Sequence, residues 1–522
     1  MLTKPKLSKN EIGILILLTA ILFGAWFRLM PSWLAGFPVN DGGMFYAMMK
    51  DLQANNYVPP LYTSYNSSLQ IPFAYPPLAF YVGAGLSHLL NISLISILQW
   101  LPAIIHTICI PALYFLAKEL IGDKVTSAIA AFVFALTPHL NAWLSVGGGL
   151  TRSFGTLFLI LTILFSYRLL VKNDARSIGW TILFGSLTIL SHTESTVFAI
   201  GIPIYIWLAK SRSLKSALQC GWVALGVLLF AGPWYGLIIY RHGFETLLSA
   251  LQTGGQTIWS VIRLINVDMI TGEPYLDLLG VMGVLGIITV IIKRQYFIPG
   301  MLVVMYLLQP RSAHTVGNIP LSIAAGFFLT EVLLPAISKL DETNVGRGVK
   351  VSLVILTPFL LINSIYQDFL LSQNHVTKGE RVAMEWVRKN TPANSRFLVL
   401  TGEPEAMCDS SGEWFPALTE RTSLSTVQGQ EWLLGNKFLE FYGHKAGLQS
   451  CLDEGLECLE RKAGYFGRDY DYIYVSIQPP TMNCNYMDTS NRTTHGLIMS
   501  LENTPEYLAV YHSQQAILFK RK

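Results

Sequence analysis

Phe37-Pro38-Val39-Asn40-Asp41-Gly42-Gly43 opens a polar, aromatic stretch, Gly36–Tyr81, that ends around Ala74-Tyr75-Pro76-Pro77-Leu78. It follows Ile12–Phe27, an apolar run near the length that crosses a bilayer. A carboxylate beside two glycines at that point has two readings. Asp and Gly are turn formers, and a turn would need nothing more. Alternatively, the glycines let a ligand approach the backbone, and the acid serves as a base or a cation ligand. The rest of the chain bears on that choice.

Apolar runs of this kind recur through roughly the first 365 residues. Of the 522 residues, 52% are hydrophobic and only 13% charged, about half the charge fraction of a soluble protein. The mean hydropathy is +0.42. These values exclude an ordinary soluble enzyme and predict a polytopic α-helical membrane protein. The formal net charge of +4 says little alone, because in a membrane protein the placement of charge outweighs its sum. Nothing in it points to a nucleic-acid partner. Ile12–Phe27 lacks a small-residue cleavage site and reads as a retained helix.

Hydropathy places further spans at about 98–117, 125–142, 153–171, 178–191, 195–209, 218–239, 276–292, 297–310, 318–336 and 350–366. With the first helix, that makes about eleven transmembrane helices. Tyr75–Leu90 is apolar but short and opens on Pro-Pro, so it reads as a helix along the membrane surface; a further span is the alternative. The basic residues favour the first option. Lys4, Lys6 and Lys9 precede the first helix, and Lys118/Lys124, Lys172/Arg176, Lys210/Arg212/Lys215, Lys293/Arg294 and Lys339/Arg347/Lys350 fall in alternate loops. The other loops keep isolated bases, Arg152, Arg241, Arg263 and Arg311. Positive residues mark the cytoplasmic side. The expectation is therefore an integral protein of the cell membrane, with a cytoplasmic N-terminus and a large first outer loop at 30–97.

Residues 1–366 then form the membrane domain, and 367–522 an extracytoplasmic mixed α/β domain. In the second, Glu380–Lys389 has the pattern of an amphipathic helix, and Phe397–Leu400 and Tyr472–Val475 those of buried strands. Four of the six cysteines, Cys408, Cys451, Cys458 and Cys484, lie there. An oxidising compartment favours two disulfides, with Cys451–Cys458 and Cys408–Cys484 the preferred pairing of three. Zinc binding is the other option, though no C-x-x-C pair is present.

Under this topology Asp41, His139, Arg152, His192, Glu194, Glu273, Arg311 and His314 collect at the outer ends of helices or in outer loops. Ionisable groups near a bilayer are costly and tend to line a cavity or pathway. Ser191-His192-Thr193-Glu194 could hold a cation or position a sugar hydroxyl, or be interfacial groups satisfied by water. Gly147-Gly148-Gly149-Leu150-Thr151-Arg152 and Gln309-Pro310-Arg311-Ser312-Ala313-His314 each offer one guanidinium beside a helix entrance. Arginine suits bidentate phosphate binding, and equally a snorkelling interfacial role.

The layout resembles the GT-C superfamily of membrane glycosyltransferases, which includes protein O-mannosyltransferases of the bacterial family 39 type, the lipid A aminoarabinose transferase and the catalytic subunit of oligosaccharyltransferase. The resemblance is carried by Asp41, by Pro76-Pro77-Leu78, by the Ser-His-Thr-Glu turn and by Glu385-Trp386-Val387-Arg388-Lys389-Asn390-Thr391-Pro392. It covers the membrane part and the start of the C-terminal domain. Two positions depart from it. Gly42 and Gly43 stand where members often have a second acid, and Tyr75 stands where they often carry Lys or His. Glu413-Trp414-Phe415-Pro416 is the nearest approach to the Trp-Trp-Asp motif of oligosaccharyltransferase and does not match it, which argues against asparagine glycosylation.

The resemblance implies inverting transfer of a hexosyl or pentosyl group from a polyprenyl-phosphate-linked sugar to an acceptor glycan, lipid or protein at the outer face. It implies Asp41 as the catalytic base and Arg311, then Arg152, as phosphate ligands. His192, Glu194, Tyr75 and His314 complete the substrate-binding candidates. No cofactor is assigned; a divalent metal is an open option and would draw on Asp41, His192 and Glu194. The competing reading is a lipid or polysaccharide transporter, which would commonly show internal repeats and broken midplane helices. No repeat is evident.

Overall fold

The computed structural model describes residues 8–137, 141–252, 277–340, 344–477 and 495–522. Lys4, Lys6, His139, Arg263, Glu273 and Cys484 lie outside these. Among the described residues, six helices are long and apolar enough to cross a membrane: Lys9–Ala35, Leu94–Ile121, Gly149–Val171, Leu214–His242, Ala313–Lys339 and Val354–Ser372. Shorter apolar helices cover Lys124–Ala135, Ser177–Ile189, Leu278–Ile292 and Phe297–Leu308, and Thr193–Lys210 is a further helix. Every segment expected to span is thus helical at its core. Leu78–Leu90 is also a helix, running from Pro77 to a left-handed Asn91.

Two helices depart furthest from the expected boundaries. The span expected at 125–142 ends at Ala135. Thr137 precedes Pro138, whose ring disfavours helical backbone in the residue before it. The carbonyls freed there are not left empty. Buried Arg28 donates from Nη1 to Ala135 at 3.1 Å and from Nη2 to Phe134 at 3.2 Å, satisfying the end of one helix from the side of another. The last membrane helix, expected at 350–366, is longer, Asn344–Ser372. Phe369-Leu370-Leu371 continue its apolar pattern, and Leu370 is buried.

Thr377 then caps the amphipathic helix Lys378–Asn390 through a reciprocal box with Glu380. Beyond it lies one five-stranded mixed sheet of β1 (Arg396–Leu400), β2 (Thr422–Ser423), β3 (Tyr472–Ser476), β4 (Tyr507–His512) and β5 (Ala516–Arg521). Its order is β2-β1-β3-β5-β4, with β1 parallel to β2 and β3, and β5 antiparallel to β3 and β4. The expected strands are β1 and β3, and their unbroken apolar runs reflect burial on both faces. Alternate residues divide between two cores, as strand geometry requires. Leu398, Leu400, Ile473 and Val475 pack with Leu459 and with Cys451 and Cys458, which form a disulfide. Cys408 is also disulfide-bonded; its expected partner falls outside the described residues. Phe397 and Val399 face the other way, into a core continuous with the first loop and the membrane helices.

Candidate active site

The turn at Asp41 is built from a left-handed Asn40, at φ 56°, and from Gly42, at φ 135°. Asn tolerates the first value and glycine alone adopts the second without strain. Three elements clamp this turn. Asn40 donates its backbone N–H to Asn374 and its side-chain amide to the Met407 carbonyl at 2.9 Å. Its own carbonyl accepts the indole N–H of Trp414 at 3.0 Å. The Gly147 amide bonds Val39, and the Gly148 amide is shared between the Asp41 carbonyl at 3.1 Å and its carboxylate Oδ1 at 2.9 Å.

Gly147 and Gly148 are there because nothing larger fits. A Cβ on Gly147 would fall on the Asp41 carbonyl oxygen, and one on Gly148 on the Asp41 carboxylate. The Gly-Gly-Gly segment is therefore the seat of the acid, and it leads straight into the Gly149–Val171 helix. Arg152, in that helix's first turn, brings Nη1 to 3.6 Å from Asp41 Oδ2. This is an ion pair, beyond hydrogen-bond length. Its guanidinium also lies 5.3 Å from the centre of the Trp143 ring.

The other candidates converge on the same place. Arg152 feels Asp41, Tyr75 and Glu194, and Glu194 Oε1 is 3.7 Å from Arg311 Nε. His314 lies in the first turn of the Ala313–Phe328 helix, close in sequence to Arg311. Tyr75 packs edge-on against Phe45 and Trp432 with ring centroids 5.0 and 5.9 Å apart. Burial pushes its phenol up to about 12 despite nearby Arg152, so it meets a substrate as a neutral hydroxyl. Asp41, Arg152, Glu194 and Arg311, drawn from four separate segments, form one alternating band of charge.

His192 corrects the metal option. It caps the Thr193–Lys210 helix, its Nδ1 lying 3.4 Å from the Ser195 amide and 3.1 Å from the Ser195 hydroxyl. Among the described residues no group of three His, Cys, Asp or Glu side chains is gathered to hold a metal ion. Asp41, His192 and Glu194 thus do not fit as a ligand set: the first pairs with Arg152, the second caps a helix and the third pairs with Arg311. The Ser-His-Thr-Glu turn reads in hindsight as a helix start, a capping residue followed by an acid in the first turn.

Two acids of the C-terminal part were not among the candidates drawn from the sequence. Glu413, in the helix Ser410–Thr419, accepts the backbone amides of Gly43 at 2.8 Å and Met44 at 3.0 Å. Those amides begin the Gly43–Ala54 helix and would otherwise be orphans. A Cβ on Gly43 would lie 3.0 Å from Glu413, so the glycine leaves room for an acid from a distant part of the chain. Burial, reinforced by Asp41, pushes the Glu413 carboxyl up to about 8, against the pull of the amides. Burial likewise raises Glu431 to about 7, with Arg311 opposing. Neither acid carries a local motif, because its partners are backbone amides or distant arginines.

The same interface holds Trp414, fully buried and in edge contact with Phe37 at 4.8 Å. Burying an indole stabilises on the order of 4 kcal/mol. The half-exposed Lys50–Glu420 pair across that interface contributes about 1 kcal/mol at most. Trp414 therefore contributes more to the docking of the two parts than that surface pair does, alongside the paired side-chain amide of Asn66 and backbone of Ser423.

The raised Glu413 carboxyl has a measurable consequence. Between about 4.5 and about 8 the folded chain holds a proton that the unfolded chain has released, so stability falls as pH rises through that window. Through this carboxyl, Tm measured in detergent should decline from pH 5 to pH 8, while burial of His375, which holds its imidazole below the usual range, acts in the opposite direction. Glu413→Gln should flatten the decline and leave the part due to Glu431; an unchanged slope would contradict the assignment.

Residues 74–235 match the family described as Dolichyl-phosphate-mannose-protein mannosyltransferase. No curated protein sequence matches the chain. Among solved structures, the chain is similar to the oligosaccharyltransferase AglB from Archaeoglobus fulgidus in complex with an inhibitory peptide and a dolichol-phosphate. That match has 16% identity over 90% of this chain and 70% of that one, with a TM-score of 0.54. It is similar to ArnT from Cupriavidus metallidurans bound to undecaprenyl phosphate, at 12% identity over 97% of both chains and a TM-score of 0.55. The arabinofuranosyltransferase AftD from Mycobacteria matches at 16% identity over 99% of this chain but 40% of that one, with a TM-score of 0.53. The chain thus resembles the GT-C membrane glycosyltransferases and shares their fold.

Proposed function

We propose that the chain transfers a sugar from a polyprenyl-phosphate-linked donor to an acceptor hydroxyl at the outer face of the membrane, with inversion. The observation that carries this reading is the band of two ion pairs, Asp41–Arg152 and Glu194–Arg311, which gathers a carboxylate free of hydrogen bonds at Oδ2 and two guanidinium groups in one place. The acceptor oxygen attacks the anomeric carbon as its proton passes to Asp41 Oδ2. The bond to the phosphate oxygen breaks, and the phosphate leaves with the electron pair. Oδ1 is held by Gly148, which orients the carboxylate and leaves Oδ2 for the proton. Arg311, with Arg152, neutralises the charge that grows on the departing phosphate. Glu194 holds Arg311 in place. No step is routed through a metal.

The family match and the similar folds support a transferase over a transporter. The direct test is release of polyprenyl phosphate from a labelled lipid donor by purified protein. Movement of intact donor between leaflets with no release would instead make the chain a transporter.

The proposed topology has eleven spans, with the membrane unit 1–366 below and the unit 367–522 on the outer side. It rests on the loop-charge asymmetry. Single cysteines at exposed Ser68 and Glu440 should react with an impermeant maleimide in intact cells, and one at exposed Lys293 should not. Labelling at Lys293 with protection at Ser68 would invert the orientation.

A further inference from the structure

Arg28 does more than end a helix. With His106 and Asp368 it is one of three ionisable side chains that lie at 2%, 1% and 2% exposure among the helices. They come from three of them, Lys9–Ala35, Leu94–Ile121 and Asn344–Ser372, and the charge of Arg28 acts on both of the others. Ionisable groups buried among membrane helices are costly and mark functional positions by default. Satisfying the carbonyls of Phe134 and Ala135 uses the two terminal nitrogens of Arg28 and accounts for neither His106 nor Asp368. Among the described residues, Arg28 Nε, His106 Nε2 and Asp368 Oδ2 are buried without a hydrogen-bond partner, each an added cost.

What the three share is where their segments lead. Beyond Arg28 the first helix ends at Ala35, and the chain turns at Gly36 into Phe37–Asp41. His106 Nδ1 meets the Ser145 hydroxyl at 2.8 Å. Ser145 closes a short helix that runs through Val146 into Gly147 and Gly148, the seat of Asp41. Asp368 lies about one turn before the end of its helix, which runs on to Asn374. There the carbonyl accepts the Asn40 amide at 2.6 Å, and the side-chain amide donates to Asn40 Oδ1 at 3.2 Å. The turn that bears Asp41, the glycines that seat it and the asparagine that clamps it each follow a segment anchored in this cluster.

We infer that Arg28, His106 and Asp368 are positioning residues for Asp41, a buried polar layer that fixes three converging segments relative to one another. Its consequence for catalysis rests on Asp41 being the base of the transfer. Asp41 is aimed by contacts from separate segments, so a slide of one helix past another would shift the seat against the turn. Apolar packing is non-directional and tolerates such a slide. A buried charge facing its counter-charge does not, because displacement leaves both uncompensated.

The test compares two variants of the full chain. Asp368→Asn removes the charge; Ser145→Ala removes the His106 contact and no charge, and so carries the test if the first does not fold. Hydrogen exchange in segments 37–43 and 145–149 should speed by about fivefold, the effect of one lost hydrogen bond, while β1 and β3 keep the rate of the unmodified chain. Turnover should fall by about a hundredfold, as for a reacting group misplaced by about 1 Å, with donor affinity held. In the Asp41→Asn background neither change should cost more, because both act through one carboxylate. Local loosening in the variants, with no polyprenyl phosphate released even by the unmodified chain, would keep the layer and sink the transferase reading. Unaltered exchange in both segments, or loosening with undiminished transfer, would overturn the layer and leave the transferase standing. Faster exchange spread evenly over β1, β3 and the helices, or losses that add fully to that of Asp41→Asn, would make the cluster a stability element and overturn the inference.

Discussion

Asp41→Asn is expected to lower sugar transfer by about a hundred- to ten-thousand-fold, the usual cost of removing a general base. The substitution keeps the size of the side chain and an oxygen able to accept the Gly148 amide. What it removes is the site for the proton. Donor binding should survive, because the phosphate is assigned to Arg311 and Arg152. Arg311→Ala should show the opposite balance. Losing one hydrogen bond to a charged group costs about 1.5–3 kcal/mol, so donor affinity should drop by roughly ten- to a hundredfold. The comparison needs donor binding and single-turnover transfer measured on both variants. Near-normal transfer by Asp41→Asn would return Asp41 to a turn former and leave Glu194 or Glu431 as the base.

How far this site could be read from the sequence depends on what each residue pairs with. Asp41, Arg152, Glu194 and Arg311 stood out singly, because a charge at the edge of an apolar run needs a reason. Their grouping was implied only by the side of the membrane on which each was placed. The pairing of Asp41 with Arg152, and of Glu194 with Arg311, depends on helix packing that no local pattern encodes. His192 was legible as polar with several roles open, and its place as a helix cap was encoded locally by Ser195 three residues on. Glu413, seen only as part of an unmatched motif, and Glu431 were not legible as site residues for a different reason. Their partners are the amides of Gly43, Met44 and Gly429, and every residue except proline has one. For the fold, long apolar runs marked the helices and the patterns of β1 and β3 marked two of the five strands, while β2, β4, β5 and the strand order carried no such signal. The early end at Ala135 was signalled by Pro138, but its satisfaction by Arg28 was not.

Gly148→Ala should be nearly as damaging as Asp41→Asn, although it adds one methyl group and removes no functional atom. The added carbon would occupy the space of the Asp41 carboxyl group, and the contact is too close for either backbone to absorb. Asp41 must then swing away, losing both the Gly148 amide and its orientation toward Arg152. Misplacing a reacting group by about 1 Å can cost on the order of a hundredfold. A general loss of stability would give the same activity result, so two controls are needed. Gly85→Ala, in the Leu78–Leu90 helix with open space around it, should be harmless and shows that glycine replacement alone is tolerated. The double variant Gly148→Ala with Asp41→Asn should be no slower than the slower single variant. If Gly148 acts only by seating Asp41, the two changes disable one group and cannot add. Fully additive losses would mean that the glycine serves something other than the acid, and the seat assigned to it would have to be abandoned.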